Sequence, residues 1–138
     1  MFTQEECEHI NATFEGTMHG FLGIRVIPSD DDAVWGEMPI NERTRQYFGI
    51  LHGGASLTFA ETLAGCGSLS IIGIDNKEKK ICGISVTGNH VGMSPTEGKV
   101  IAKATIVHAG RTTHVWNVDI YSEDNRLIST ERVTNMII

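Results

Sequence analysis

Residues 53–72 of the chain read GGASLTFAETLAGCGSLSII, and this stretch decides the fold. Small and apolar residues occupy nearly every position, and Glu61 is the only charged residue. A helix that is apolar on all sides is typical of a protein interior. The stretch therefore predicts one long buried helix, and its many glycines and alanines let other backbones approach closely.

The hydrophobic period changes to two after this helix. Four segments rich in Val, Ile and Thr predict strands joined by short turns, at residues 81–93, 99–108, 113–122 and 127–138. Short connections indicate an antiparallel meander. Before the long helix, residues 4–15 predict a short surface helix, and residues 21–28 and 33–40 predict a hairpin of two further strands.

A sheet of this kind has one face to cover, and the long helix is the only large apolar element available. We therefore expect an α+β fold in which a curved antiparallel sheet wraps around one long buried helix. The length of 138 residues suits one domain with one core, which we place at residues 1–138. The unpaired edge strands favour extension of the sheet through a dimer.

The composition excludes several classes of protein. The chain carries 11 Lys and Arg against 17 Asp and Glu, a net charge of −6, whereas nucleic acids and anionic membranes require a basic surface. Three cysteines without CxxC spacing and six histidines without paired spacing predict neither a disulfide framework nor a metal site. The polar N-terminus, the free thiols and the lack of a long enough apolar run predict a cytoplasmic protein.

Gly53 and Gly54 begin the long helix directly after His52. The free N–H groups at a helix start, with the positive end of the helix dipole behind them, form a ready oxyanion hole for acyl transfer. A glycine pair here is equally consistent with a simple joint between loop and helix. The absence of a GxSxG motif argues against an α/β serine hydrolase, and Cys66 is expected to belong to the core.

Glu61 gives the sharper indication of chemistry. An isolated carboxylate on a buried apolar helix is costly unless it is paired or functional, and burial strengthens a carboxylate as a base. The alternative is a structural glutamate held by a Ser or Arg of the sheet. Gly53 and Glu61 lie about 12 Å apart along the helix axis, so one carbonyl carbon cannot touch both in a single chain. A shared role therefore implies a dimer with two sites at its interface.

Two stretches of the sequence resemble one known family. The segments RQYFGILHGGASLTFAETLAG (residues 45–65) and GNHVGMSPTEGKVIAKATIVHAGRTTHVWNVDIYSEDNRLIS (residues 88–129) are similar to hot-dog-fold acyl-CoA thioesterases. They are closest to the branch that contains 1,4-dihydroxy-2-naphthoyl-CoA thioesterase and its enterobactin-proofreading relative. The motif Q-x5-HGG-x6-E separates this branch from hot-dog dehydratases.

The resemblance implies a catalytic role for each residue of the motif. Glu61 would attack the thioester carbonyl or activate water, and the N–H of Gly53 would hold the oxyanion. His52 and Gln46 would orient the thioester and its leaving sulfur, and they would come from one chain while Glu61 comes from its partner. The family carries a Ser or Thr one turn after the acid, where this chain has glycine at position 65. Thr62 or Ser68 are the expected substitutes.

The resemblance also places the substrate and its coenzyme A. The expected binding residues are Thr62 and Gly83, together with two segments, namely Asn89, His90, Val91, Gly92 and Met93, and His108, Ala109, Gly110, Arg111 and Thr112. Arg111 suits the nucleotide phosphates because arginine makes charge-assisted hydrogen bonds to phosphate. Relatives carry an arginine where this chain has Val91, so CoA is expected to bind more weakly or through other cations. No cofactor is expected beyond the coenzyme A of the substrate.

Three functions remain open on the sequence alone. The first is hydrolysis of an acyl-CoA, or of a thioester on an acyl carrier protein, by a homodimer that pairs further into a dimer-of-dimers tetramer. The second is a non-catalytic acyl-CoA-binding module, which would have no need of Glu61. The third is a hydratase or dehydratase, which would need His52 as a base toward a carbon acid. The aromatic pair Tyr47 and Phe48 favours an aryl or medium-length acyl group.

Overall fold

The computed structural model describes residues 1–138, which form three helices and six strands. In chain order these are α1 (Gln4–Ala12), α2 (Met18–Phe21), β1 (Arg25–Ile27), β2 (Val34–Pro39), α3 (Gly53–Ile72), β3 (Ile81–His90), β4 (Lys99–Ala109), β5 (Thr113–Ser122) and β6 (Leu127–Ile137). Helix α3 and strand β5 have the predicted bounds. Helix α1 begins with a capping box, in which the Thr3 hydroxyl accepts from the Glu6 N–H and the Glu6 carboxylate accepts from the Thr3 N–H.

The six strands form one antiparallel sheet in the order β1-β2-β4-β5-β6-β3. Helix α3 packs against every strand from β2 to β6, so the expected arrangement of a sheet around one long helix is confirmed. The hairpin of β1 and β2 is also confirmed. Alternate residues of β2 face the core, among them Val34 and Met38, as period two requires.

The predicted meander of the last four strands is wrong in one connection. Strand β3 pairs with β6 at the edge of the sheet, and β4 pairs with β2 and β5. The eight residues between β3 and β4 can span about 26 Å, whereas three strand spacings amount to about 15 Å. The segment is therefore long enough to carry the chain past β6 and β5, and it is not the short turn that the sequence predicts.

The first strand is also shorter than predicted. Residues 21–28 were expected to be extended, but β1 covers only Arg25–Ile27 and Phe21 ends the short helix α2. Gly23 lies between the two with φ 79°, a left-handed conformation that glycine adopts without strain. The chain therefore turns at Gly23 before it enters the sheet.

The core lies between α3 and the sheet. Phe59 and Leu63 of α3 are fully buried, as are Trp116, Val118 and Ile120 of β5. By length and composition α3 would be able to cross a membrane, but half of its most apolar stretch is buried inside this protein. The apolar character of the helix is therefore accounted for by the core that it fills.

Two glycines of α3 give a matched test of this packing. An ideal Cβ at Gly67 would lie 2.5 Å from Cη2 of Trp116, whereas a Cβ at Gly65 would meet no atom within 4 Å. We expect Gly67→Ala to lower the free energy of unfolding by about 1–3 kcal/mol through overpacking. Gly65→Ala should raise it by about 0.5–1 kcal/mol, because alanine loses less backbone entropy in a helix. Urea unfolding measures both, and equal effects would contradict the packing.

Candidate active site

The start of helix α3 leaves one backbone donor free. His52 is the N-cap, and its Nδ1 accepts a hydrogen bond of 2.8 Å from the N–H of Gly54. The N–H groups of Ala55 and Ser56 donate to the carbonyl of His52. The N–H of Gly53 has no acceptor in the chain. Gly53 is therefore the amide at this helix end that remains available to an oxyanion, with the helix dipole behind it.

The loop before the helix orients Gln46. Its Oε1 accepts from the N–H of Phe48, and its backbone N–H donates to the carbonyl of Ile50 at 2.8 Å. The side-chain carbonyl oxygen of Gln46 is therefore engaged within the loop, and its amide nitrogen remains a free donor. Gln46 and Gly53 both line a pocket of about 220 Å³, whose other residues are Ile50, Leu51, Ser56, His90, Gly92, Ser94 and Ile128.

His90 closes this pocket from the end of β3. An ideal Cβ at Gly53 would lie 2.6 Å from Nε2 of His90, so the imidazole covers the helix start and glycine is needed there. On its other side, Nδ1 of His90 is 2.8 Å from the hydroxyl of Ser129. We call Gln46, Gly53 and His90 the first half-site. The structure brings these three predicted residues together in one chain.

Glu61 lies elsewhere, and the expectation that it is buried is wrong for the single chain. Its side chain is exposed and makes no hydrogen bond or ion pair. An ideal Cβ at Gly83 would overlap Oε1 of Glu61, so the carboxylate lies against the bare backbone of β3. The helix face that carries Glu61 is covered only by this edge strand, of which eight of ten residues are exposed.

The expected substitutes for the family's Ser or Thr differ in their surroundings. The hydroxyl of Thr62 donates to the carbonyl of Thr58 at 2.8 Å, and it stays near Glu61 on the helix. Ser68 is fully buried and receives hydrogen bonds from Trp116 and Asn135. Ser68 therefore belongs to the core and does not replace the missing group at position 65.

The two predicted CoA-binding segments lie at opposite ends of the sheet. The N–H groups of Val91 and Gly92 donate to the carbonyl of Ile128, beside the first half-site. Gly83, near the start of β3, pairs with a residue of β6, and that residue pairs with the start of β5. The turn of residues 108–112 leads into β5, so it lies at the same end of the sheet as Gly83. We call Glu61, Gly83 and the turn 108–112 the second half-site. A single chain keeps the two half-sites apart.

Arg111 and His52 are both exposed on the surface of the single chain. Arg111 forms no ion pair, so its guanidinium is free to meet an anion. His52 lines a shallow depression on the other side of the helix start, beside Arg43 and Arg45, rather than the pocket of the first half-site. The structure thus separates His52 from Gln46, since the histidine turns back to cap its own helix.

Cys66 belongs to the core, as expected. It is buried against apolar residues, and this burial raises the pKa of its thiol to about 12. A thiol of this kind is not a thiolate at neutral pH, and the thiolate is the form that attacks carbonyl carbon. The three cysteines are all free.

Sequence reasoning missed two polar residues behind the pocket, Ser129 and Glu131. Both are buried, and the Ser129 hydroxyl donates to Oε1 of Glu131. The available signal was the alternation of β6, in which residues 129, 131 and 133 share the face that packs toward α3. A carboxylate at an inward position of a strand merits the same attention as one on a buried helix.

Comparison with known proteins identifies the family. The thioesterase superfamily matches residues 48–129. A 1,4-dihydroxy-2-naphthoyl-CoA hydrolase of Escherichia coli (strain K12) is 39% identical over 131 residues, which are 95% of this chain and 93% of the relative.

Solved structures agree with this assignment. A thioesterase of Pseudomonas aeruginosa that carries a glutamine-to-alanine substitution superposes with a TM-score of 0.90 at 32% identity, covering 99% of this chain and 96% of its own. Two structures of a Staphylococcus aureus thioesterase superpose with a TM-score of 0.79 at 31% identity. They cover 87% and 88% of this chain, and 97% and 98% of their own. One carries a glutamine-to-alanine and the other a glutamate-to-alanine substitution, at positions 15 residues apart.

The match spans most of the chain, and the relatives share both its length and its sheet wrapped around one helix. The chain therefore belongs to the thioesterase superfamily, with the hot-dog fold, and is a thioester hydrolase.

Proposed function

We propose that the chain hydrolyses an acyl- or aryl-CoA thioester to the free acid and CoA. The observation that carries this proposal is the unpartnered N–H of Gly53, which lies at the start of α3 and lines a pocket together with Gln46. A carbonyl oxygen bound there gains the amide hydrogen bond and the helix dipole as its negative charge develops. The amide nitrogen of Gln46 is a second donor for the thioester.

Glu61 supplies the remaining chemistry. As a base, it accepts a proton from a water molecule whose oxygen adds to the carbonyl carbon. As a nucleophile, it adds to that carbon itself, and water then hydrolyses the anhydride. In both routes the carbon–sulfur bond breaks, the CoA sulfur takes up a proton, and water provides the new oxygen of the acid. No cofactor is assigned beyond the CoA of the substrate.

The two half-sites meet when two chains associate. Gly53 lies against His90 at the end of β3, and Glu61 lies against Gly83 near its start. The outer edge of β3 is free of partners. Pairing of two β3 strands antiparallel about a two-fold axis sets the start of one beside the end of the other. Glu61 of one chain then approaches Gly53 of its partner, which supports a homodimer with shared sites. A further pairing of these dimers into a tetramer is supported by the membership of the family alone.

The comparisons support the pairing of Gln46 with Glu61. These residues are 15 positions apart, the same spacing as between the substituted glutamine and glutamate of the Staphylococcus aureus thioesterase. The relatives named as hydrolase and thioesterase also favour hydrolysis over simple binding of acyl-CoA.

The same two-chain geometry joins the two CoA-binding segments. The turn 108–112 of one chain would lie beside residues 89–93 of the other, and the free guanidinium of Arg111 would meet the nucleotide phosphates. The ring centroids of Tyr47 and Phe48 lie 4.2 Å apart with their planes tilted by 38°, and the two residues are 90% and 72% exposed. An aromatic pair beside Gln46 suits an aryl or medium-length acyl group. The free thiols support a cytoplasmic location.

Release of CoA from a panel of thioesters tests the substrate class. We expect kcat/KM of at least about 10⁴ M⁻¹s⁻¹ for an aryl- or medium-chain acyl-CoA, with lower values for long chains and for the same acyl group on an acyl carrier protein. The same thioester in buffer without protein is the blank for non-enzymatic hydrolysis. CoA release no faster than this blank for every thioester would contradict the proposal.

A further inference from the structure

We propose that Glu131 is a positioning residue that acts through Ser129 to set which ring nitrogen of His90 carries the proton at the pocket. The inference rests on the proposed function, because it concerns the first half-site. Its basis is a hydrogen-bonded network of three side chains behind the pocket. Oε1 of Glu131 accepts from Ser129, and the Ser129 hydroxyl lies 2.8 Å from Nδ1 of His90.

Glu131 is buried beneath strand β3. Its side chain is 2% exposed, and an ideal Cβ at Gly88 would lie 2.7 Å from its Cγ. Strand β3 can therefore cover this carboxylate only with glycine at position 88, and Leu57 of α3 packs beside the same glycine. Oε2 of Glu131 has no hydrogen-bond partner at all. A buried carboxylate with an orphan oxygen is costly, and no other part of the fold accounts for it.

The single proton of the Ser129 hydroxyl couples Glu131 to His90, the two ends of this hydrogen-bonded network. When Glu131 is ionised it only accepts, so Ser129 donates to it and the neutral His90 donates its Nδ1–H to Ser129. The lone pair of Nε2 then faces the start of α3. When Glu131 is protonated it donates to Ser129, and the serine proton is free to be donated to Nδ1. His90 then carries its proton on Nε2, beside Gly53.

The burial of Glu131, more than the charges around it, places this change near neutral pH. Burial raises the pKa of Glu131 to about 7, the bond from Ser129 lowers it, and the carboxylate of Asp119 on β5 raises it. Helix α3 contributes the apolar Leu57 there, and β3 contributes Gly88 and His90. Arg132 on β6 faces the opposite side of the sheet. The ordinary value for a glutamate lies near 4.5.

The consequence for the pocket follows from the direction of this shift. Below about pH 7 the N–H of Nε2 is a donor beside the Gly53 amide, and above it Nε2 is an acceptor that repels a developing oxyanion. We therefore expect kcat/KM for acyl-CoA to fall about three- to tenfold as Glu131 ionises, which is the worth of one hydrogen bond. Glu131→Gln has no charge to gain at position 131, and its amide N–H is able to donate to Ser129, so it should not show this fall in kcat/KM.

Nitrogen NMR of His90 tests the inference without any substrate. In the wild type at pH 8, where Glu131 is ionised, we expect the proton on Nδ1 of His90. In Glu131→Gln it should lie on Nε2 at pH 8, and in Ser129→Ala the position should no longer depend on the charge of Glu131. Glu97→Gln, which alters an exposed carboxylate in a turn, is the matched control and should behave as the wild type.

The outcomes separate this inference from the proposed function. The same tautomer of His90 at pH 8 in wild type and Glu131→Gln would overturn it, whatever the enzyme hydrolyses. Identical pH profiles of kcat/KM in the two proteins would also overturn it. Thermal unfolding confirms that each variant folds, and Glu131→Gln should unfold at a higher temperature than wild type at pH 8 because the uncompensated buried charge is gone. A wild type that releases no CoA, with the tautomer change present, would contradict only the proposed function.

Discussion

Replacing Glu61 by glutamine is expected to lower kcat by at least about 100-fold and to leave the fold unchanged. The activity is lost because an amide neither accepts a proton from water nor attacks a carbonyl carbon, and a positioned base or nucleophile contributes about 10²-fold or more. The fold persists because the side chain is exposed and makes no hydrogen bond or ion pair. Such surface substitutions change stability by about 0.5 kcal/mol or less.

The measurement is steady-state hydrolysis of the best acyl-CoA of the panel, together with urea unfolding of both proteins. Glu78→Gln is the matched control, because it removes an exposed carboxylate from the charged turn after α3. It should keep wild-type kinetics. If Glu61→Gln retains half of the wild-type kcat, the carboxylate has no part in the reaction.

Mixing two inactive variants is expected to restore about a quarter of wild-type activity. One variant is Glu61→Ala, which lacks the second half-site, and the other combines Gln46→Ala with His52→Ala near the first. A heterodimer has one site with both lesions and one site with neither. Random exchange of subunits makes about half of the dimers heterodimers, each with one intact site. The recovery follows from the separation of the half-sites in each chain.

Mass spectrometry of the intact assemblies establishes that heterodimers have formed. A mixture of Glu61→Ala with Glu61→Gln is the control, since both lesions fall in the same half-site and no intact site arises. Inactive heterodimers in the first mixture would place the whole site within one chain. A stable and fully active monomer in sedimentation would lead to the same conclusion.

The sequence predicts where the helices and strands lie along the chain better than it predicts which strands pair in the sheet. The apolar stretch of α3 and the alternation of β5 each have a period that physical chemistry fixes locally, and both were predicted with their observed bounds. The pairing of β3 with β6 depends on where the chain goes between residues 90 and 99. No hydrophobic period in the sequence indicates that path, so the prediction pairs the strands in chain order.

The site shows the same division between local and distant information. Gly53 at the start of α3 follows from the helix itself, and its free N–H was predicted. The exposure of Glu61 was not, because it depends on how little the edge strand covers the helix. The network of Ser129 and Glu131 was also missed. It joins two residues of β6 to His90 on β3, and it depends on a pairing of these strands that the sequence does not predict.

The cap at the start of α3 also decides what kind of proton chemistry His52 is able to perform. Its Nδ1 is occupied by the N–H of Gly54, so in the neutral ring the proton sits on Nε2. The nitrogen that remains outside the helix is then a donor with no lone pair to abstract hydrogen from a carbon atom. Elimination of water from a β-hydroxyacyl group needs that abstraction, so a dehydratase built on this sequence would first have to begin its helix in another way.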